Sequence, residues 1–180
     1  TGQTDQYVNL GTSFKLAATD GFTWSAWVLV QGAGLARGNM LFLRDVSGNN
    51  QIQVRLVDSH TLWYGVSTWG AVVYVKNNGN PAAGGTFAVP DALNTGSWTH
   101  LAVTVDPVGN VIVYKNGNQK GGTKTLEPVN AAEVPYVYAA LGRKDSSTGS
   151  LYFEGYMHDV RLYSRPLSYH DIQRIKACLL

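Results

Sequence analysis

The stretch GYMHDVRLYSRPLSYHDI, running from Gly155 to Ile172, alternates apolar and polar residues, breaks at Arg165-Pro166, and then takes up a helical pattern. Alternation with a period of two is the mark of a strand with one buried face. Proline cannot donate to a ladder, so Pro166 ends that strand. Ser168 is a good N-cap, and Asp171 three residues on completes a capping-box pair, with Asp where Glu or Gln is usual. Ile172 and Ile175 then share a helical face, with Leu179 one turn further on. The end of the chain therefore reads as a strand followed by one short amphipathic helix that lies on a sheet.

The same period of two runs through the rest of the sequence. It appears at Phe22–Val30, Asn39–Asp45, Gln51–Val57, Thr61–Ser67, Ala71–Lys76, Ser97–Asp106, Asn110–Lys120 and Tyr136–Gly142, all rich in Val, Leu, Tyr and Trp. Turn signals separate these segments: Asp20-Gly21, Ser47-Gly48-Asn49-Asn50, the run Asp106 to Asn110, and Asn116-Gly117. Many strands, regular turns and almost no helical period define an all-β sandwich or barrel. Two segments lack a strand pattern: residues 77–96, with two prolines and many glycines, and Thr123–Pro135. A break as long as 77–96 is functional or loosely ordered.

At 180 residues the chain has the length of a single domain, taken as residues 1–180, and its 44 % apolar content is enough for a sizeable core. Charged residues make up only 14 %, so the surface is rich in amides, hydroxyls and glycine, as in many secreted and glycan-handling proteins. The net charge of +2 is scattered, with no basic run and no basic–aromatic motif, which argues against nucleic acid as a partner. No apolar stretch approaches the ~20 residues that a membrane-spanning helix requires. The opening residues TGQTDQYVNL have neither a charged nor an apolar leader segment, so they are a mature end or a cut made in a larger protein. Cys178 is the single cysteine and excludes an internal disulfide. It reads either as a buried residue on the last helical turn or as part of a helix that leads on into a longer chain.

Three segments together resemble a known family: FTWSAWVLV from Phe22, GSWTHLAVTVDPVGNVIVYKNGNQ from Gly96, and LGRKDSSTGSLYFEGYMHDVRLYSRPLSYHDI from Leu141. They are similar to the laminin-G-like branch of the concanavalin A-like superfamily, common in extracellular bacterial and viral proteins. The likeness extends from about Tyr7 to Ile175. It implies a jelly-roll sandwich of two antiparallel sheets with a short C-terminal helix. On that architecture Val160 and Leu162 point inward, while Asp159, Arg161 and Tyr163 point outward. The resemblance also implies packing roles, in the core or at a sheet edge, for Trp27 and Trp98, and a structural role for His100 in the Trp-x-His motif. Many members of this family hold a structural calcium through an Asp of the closing strand. Here His158 stands at that position and Asp159 one place along, which argues against the ion because calcium prefers oxygen ligands. No metal or other cofactor is therefore expected. His158 is read as a semi-buried residue with a backbone partner, and Asp159 as a carboxylate beside Arg161 or Arg143.

The superfamily includes glycosidases, which require two carboxyl groups about 5 Å apart for retaining hydrolysis. The sequence has only Glu127, Glu133 and Glu154 as glutamates, and no strand carries two carboxylates spaced by two or four. A lyase would use a Tyr or His base beside groups that neutralise a uronate. None of His60, His100, His158 and His170 is placed by sequence beside the polar strand that carries Gln51, Gln53 and Arg55. Gly-x-Ser-x-Gly is absent and no glycine-rich loop opens a helix, so neither a serine hydrolase nor a phosphate-binding loop is indicated.

The remaining aromatics suggest a ligand. Sugars present apolar C–H faces on which indole and phenol rings stack, while amides and guanidinium groups bond the hydroxyls. Trp69, Trp63 or Tyr64, Tyr74 or Lys76, Gln53 and Arg55 are the candidate ligand-binding residues, with the 77–96 segment as a wall. The expected function is a non-catalytic carbohydrate-binding, lectin-like or adhesion module of an extracellular protein, on a cell surface or a virion. The rival is a structural or assembly domain that contacts other protein chains, and a third reading is a polysaccharide lyase.

Overall fold

The computed structural model describes residues 6–16, 20–31, 38–57, 69–76, 85–126, 136–144 and 152–178. Its strands are β1 (Val8–Gly11), β2 (Phe22–Val30), β3 (Gly38–Arg44), β4 (Gln51–Val57), β5 (Gly70–Lys76), β6 (Thr86–Val89), β7 (Thr99–Val105), β8 (Asn110–Lys115), β9 (Asn118–Thr125), β10 (Tyr138–Leu141) and β11 (Gly155–Tyr163), followed by helix α1 (Tyr169–Ala177). They form two antiparallel sheets, one six-stranded in the order β1-β10-β3-β4-β5-β6 and one five-stranded in the order β11-β2-β7-β8-β9. This is the jelly-roll sandwich expected from the alternation.

One parity of each strand fills the space between the sheets. Phe22, Trp24, Ala26, Val28 and Val30 of β2 meet Leu101, Val103 and Val105 of β7 and Val111 and Val113 of β8 in one cluster. From the other sheet come Leu41 and Leu43, Ile52, Val54 and Leu56, and Ala71, Val73 and Val75. A bulge between Asn39 and Leu41 in the pairing of β3 with β4 lets the consecutive residues Met40 and Leu41 both reach that core.

The turns carry their own chemistry. Asn116 and Gly117 both have positive φ, 50° and 82°, which is the two-residue hairpin geometry that Asn-Gly favours between β8 and β9. Asn110–Lys120 is therefore two strands joined at the Asn116-Gly117 turn. The turns after β3 and β7 are built alike. Asp45 Oδ1 accepts from Asn50 N at 3.2 Å and its Oδ2 from Asn50 Nδ2 at 2.8 Å. Asp106 Oδ1 accepts from Asn110 N and its Oδ2 from Asn110 Nδ2, both at 2.8 Å. Burial opposes the charge of Asp45, but the donors from Asn50, Ser47 and Asn49 outweigh it and hold the carboxyl below its ordinary range.

Helix α1 closes as the sequence indicates. Ser168 Oγ accepts from Asp171 N, and Asp171 Oδ2 accepts from Ser168 N, each at 3.2 Å, a complete capping box. The helix lies on the outer face of the five-stranded sheet, where Ile172 and Leu167 pack against Ala102 and Tyr114. Two side chains fasten it there. Thr23 Oγ1 on β2 donates to Arg165 O and accepts from Leu167 N, while Gln173 Nε2 donates to Gly117 O at the β8–β9 turn.

Several expectations need correction. The break at 77–96 contains a strand, since Thr86–Val89 pairs with β5. The N-terminal segment Val8–Gly11, read as no strand, pairs with β10. Cys178 is exposed rather than buried, because the apolar face of α1 ends its sheet contacts at Ile175. Glu127, Glu133, His60 and Leu179 lie outside the described residues.

Because Ile172 is fully buried, Ile172→Ala is expected to lower the unfolding free energy by about 2–4 kcal/mol in urea denaturation. Ser168→Ala, which removes only the cap, is expected to cost about 1 kcal/mol in the same measurement.

Candidate functional site

The outer face of the six-stranded sheet is reached by following parity away from the core. Opposite pairs place Gln51 beside Lys76, Gln53 beside Tyr74, and Arg55 beside Val72. Across β3, Phe42 stands opposite Gln53 and Arg44 opposite Gln51, and across β10 Tyr138 stands opposite Arg44. The candidate residues Gln53, Arg55, Tyr74 and Lys76 thus share one face, as their spacing indicates. Trp63 and Tyr64 lie outside the described residues.

Trp69 goes elsewhere. It has the parity of Ala71 and packs, half-buried, against the cluster between the sheets. Its ring is a wall of the core and does not stand with the polar set. Gln53 is also less open than an outward side chain suggests, being only 4 % exposed. Its Nε2 donates to Gln51 Oε1 at 3.0 Å, and its buried Oε1 accepts no hydrogen bond. Lys76 is held in place, its Nζ donating to Gly48 O at 2.8 Å in the β3–β4 turn, where Gln51 Nε2 donates to the same carbonyl.

Residues that the sequence reading passed over complete this face. The Arg44 guanidinium lies 4.7 Å from the centre of the Tyr138 ring, and Tyr138 is 46 % exposed. Beyond it, toward β1, Arg143 lies 4.6 Å from the ring of Tyr7 and 5.5 Å from that of Tyr152. A pocket of about 210 Å³ lies between these groups, lined among others by Tyr7, Asn9, Phe42, Tyr138, Arg143 and Lys144. The signal for Tyr138 and Arg44 was available, since each is the outward residue of an alternating strand, whereas the approach of Tyr7 to Arg143 depends on the pairing of β1 with β10.

The outer face of the five-stranded sheet carries the closing motif. Asp159 has a positive φ of 51° and sits in a bulge between His158 and Arg161. The bulge takes up one residue, so that Met157, Val160 and Leu162 all pack on the core while His158 and Arg161 both stand opposite outward residues of β2, Trp27 and Ser25. Asp159 Oδ1 accepts from Arg161 Nε at 2.7 Å, the neighbour expected for it. His158 is exposed rather than semi-buried and meets the edge of Trp98, their rings 6.5 Å apart. Trp98 is 45 % exposed, so it is not a core residue. His100 is 2 % exposed and packs edge-on to Trp27 at 5.4 Å, which fits a structural role. The described histidines lie on this sheet or on α1, away from Gln53 and Arg55. Among the described residues no three His, Cys, Asp or Glu side chains gather as a metal ion would require.

The fold is that of the lectin-like jelly rolls. The chain belongs to the concanavalin A-like lectin/glucanase superfamily, whose family model Laminin_G_3 matches residues 2–173. No curated protein sequence matches it significantly. Among solved structures it is similar to a heptameric SAP-like pentraxin from Limulus polyphemus, with a TM-score of 0.66 at 15 % identity over 96 % of this chain and 76 % of that one. It is also similar to the CBM40 domain of the Ruminococcus gnavus IT-sialidase bound to α2,3-sialyllactose, with a TM-score of 0.66 at 12 % identity over 96 % of this chain and 97 % of that one. A third is domain 4 of an extracellular arabinanase from Geobacillus stearothermophilus in complex with arabinotriose, with a TM-score of 0.55 at 20 % identity over 87 % of this chain and 66 % of that one. At these identities the likeness is one of fold.

Two outcomes follow from the placements above. Trp69→Ala is expected to destabilise the fold by about 2 kcal/mol, measured by urea unfolding, because the ring fills part of the core boundary. Burial lowers the pKa of His100 from 6.5 to about 4. The unfolded chain takes up the proton near 6.5 and the folded chain only near 4, so stability is complete above the first value and falls as pH drops toward the second. Urea midpoints measured across that window are expected to fall less steeply in His100→Gln than in the parent protein.

Proposed function

We propose that the protein is a non-catalytic carbohydrate-recognition module whose ligand lies along the outer face of the six-stranded sheet. The observation that carries this reading is the composition of that face: Gln53, Arg55, Tyr74 and Lys76 in register with Phe42, Arg44 and Tyr138. Phenol rings offer surfaces for sugar C–H groups, and amide, ammonium and guanidinium groups bond hydroxyls. Glycan complexes of proteins with this fold, sialyllactose in one and arabinotriose in another, support the same reading.

A module of this kind acts on glycans outside the cell or on a cell or virion surface, and we place the protein there. Trp63 and Tyr64 are retained as candidate contacts with Gln53, Arg55, Tyr74 and Lys76, and Trp69 enters only as support beneath the sheet. No described pair of carboxylates stands on the binding face, which favours binding over glycoside hydrolysis. The assembly reading has its own support in the exposed Trp98, Tyr156 and His158 on the opposite sheet, a surface of the kind that contacts protein.

A glycan array probed with the full chain is expected to give hits that Tyr138→Ala and Tyr74→Ala weaken at least tenfold, about 1.4 kcal/mol. The melting temperature of Tyr138→Ala is expected to stay close to that of the parent, because the ring is half exposed. Light scattering that shows oligomers, with no array hits, would replace carbohydrate recognition by assembly.

A further inference from the structure

We propose that the pocket between β1, β10 and β3 binds the charged group of an acidic sugar, one bearing a carboxylate or a sulfate ester. The proposal rests on the glycan-binding reading of this face and names the ligand class for one end of it. Phe42 joins the two, since it lines the pocket and stands opposite Gln53.

The argument starts from Arg143. Its guanidinium carbon lies 4.6 Å from the centre of the Tyr7 ring and 5.5 Å from that of Tyr152, cation–π contacts that hold the group and leave its N–H edge to find acceptors. Its Nε is buried and has no hydrogen-bond partner. A buried charged donor without an acceptor is costly, and a carboxylate or sulfate answers it with two parallel hydrogen bonds. Lys144 lines the same pocket, and among the described lining residues there is no Asp or Glu.

Several cations elsewhere on the protein meet a carboxylate. Lys115 and Lys120 both meet Asp91, Arg161 meets Asp159, and Arg165 meets Asp171. The pocket thus gathers two positive groups in a concave site with no carboxylate among its described lining residues. The walls decide between a bare anion and a sugar acid. Tyr7 and Tyr138 are 43 % and 46 % exposed and present rings to the pocket, and Asn9 adds an amide. Rings of this kind suit the C–H face of a pyranose, which an inorganic anion lacks.

The test uses the full chain, labelled for NMR, titrated with methyl glucuronide, glucose 6-sulfate, methyl glucoside and inorganic sulfate. The expected result is that the two acidic sugars shift resonances of Asn9, Arg143 and Lys144, and bind at least tenfold more tightly than methyl glucoside. That preference is expected to shrink in high salt and to disappear in Arg143→Gln and in Lys144→Gln. Lys144→Gln leaves the tyrosine stack intact, so it reports on charge even if Arg143→Gln disturbs the fold. Equal binding of glucoside and glucuronide would overturn the proposal, and inorganic sulfate binding as tightly as the sulfated sugar would overturn its sugar component. Neutral hits on the array without an acidic preference would leave the glycan-binding reading standing and remove this one. Acidic monosaccharides held in the pocket, with no oligosaccharide retained by the array, would do the reverse.

Discussion

The space between the sheets accepts only one parity of each strand, and everything on the outside follows from that restriction. Once Trp24, Val103, Val54 and Val73 are committed to the interior, their strand neighbours have no choice of side. Gln53 and Tyr74 meet on the outer face because Val54 and Val73 meet in the core one step further along the same pairing. The position of the candidate site is in this sense a by-product of hydrophobic burial, and its precision comes from the register of the core.

The exceptions to strict alternation are where the chain adjusts that register. Near Asn39 a bulge sends Met40 and Leu41 to the same side. Near Asp159 another lets Met157 and Val160 both face inward although they are three residues apart. Without that second bulge, the half of β11 before it would be out of phase with the half after it, and Met157 would face solvent. Asp159 suits the task because Asp tolerates positive φ better than a branched residue, and its carboxylate is then stabilised by Arg161. Backbone geometry and one ion pair thus account for the His-Asp pair in the closing strand.

These cases mark what the sequence could and could not convey. The sandwich, the capped helix and the shared face of Gln53, Arg55, Tyr74 and Lys76 were legible because period and turn chemistry are local properties. The strand at Thr86–Val89 was hidden because it is four residues long and lies among prolines and glycines. Trp69 looked like a ligand-stacking ring until its parity with Ala71 put it toward the core. Trp98, expected in the core or at a sheet edge, takes the second place: it precedes the first residue of β7 and emerges at the sheet end. The stacking of Arg143 between Tyr7 and Tyr152 was illegible for a different reason. Tyr7 is far from Arg143 in sequence and reaches it through the pairing of β1 with β10, while Tyr152 reaches it through a single bridge, and no local pattern encodes either meeting.

The two outer faces are then unequal. On the five-stranded sheet, α1 takes the area over Ala102 and Tyr114 and is fastened by Thr23 and Gln173, leaving a margin around Trp98 and His158. The six-stranded sheet has no helix over it among the described residues, and two of its cations are held by rings or a carbonyl: Arg143 beside Tyr7 and Tyr152, Lys76 on Gly48 O. A cation held in this way keeps its full charge, whereas one paired with an aspartate is largely neutralised toward an approaching ligand. Aromatic support therefore orders these side chains while leaving them attractive to oxygen, and that combination is what a surface for a polar, oxygen-rich ligand requires.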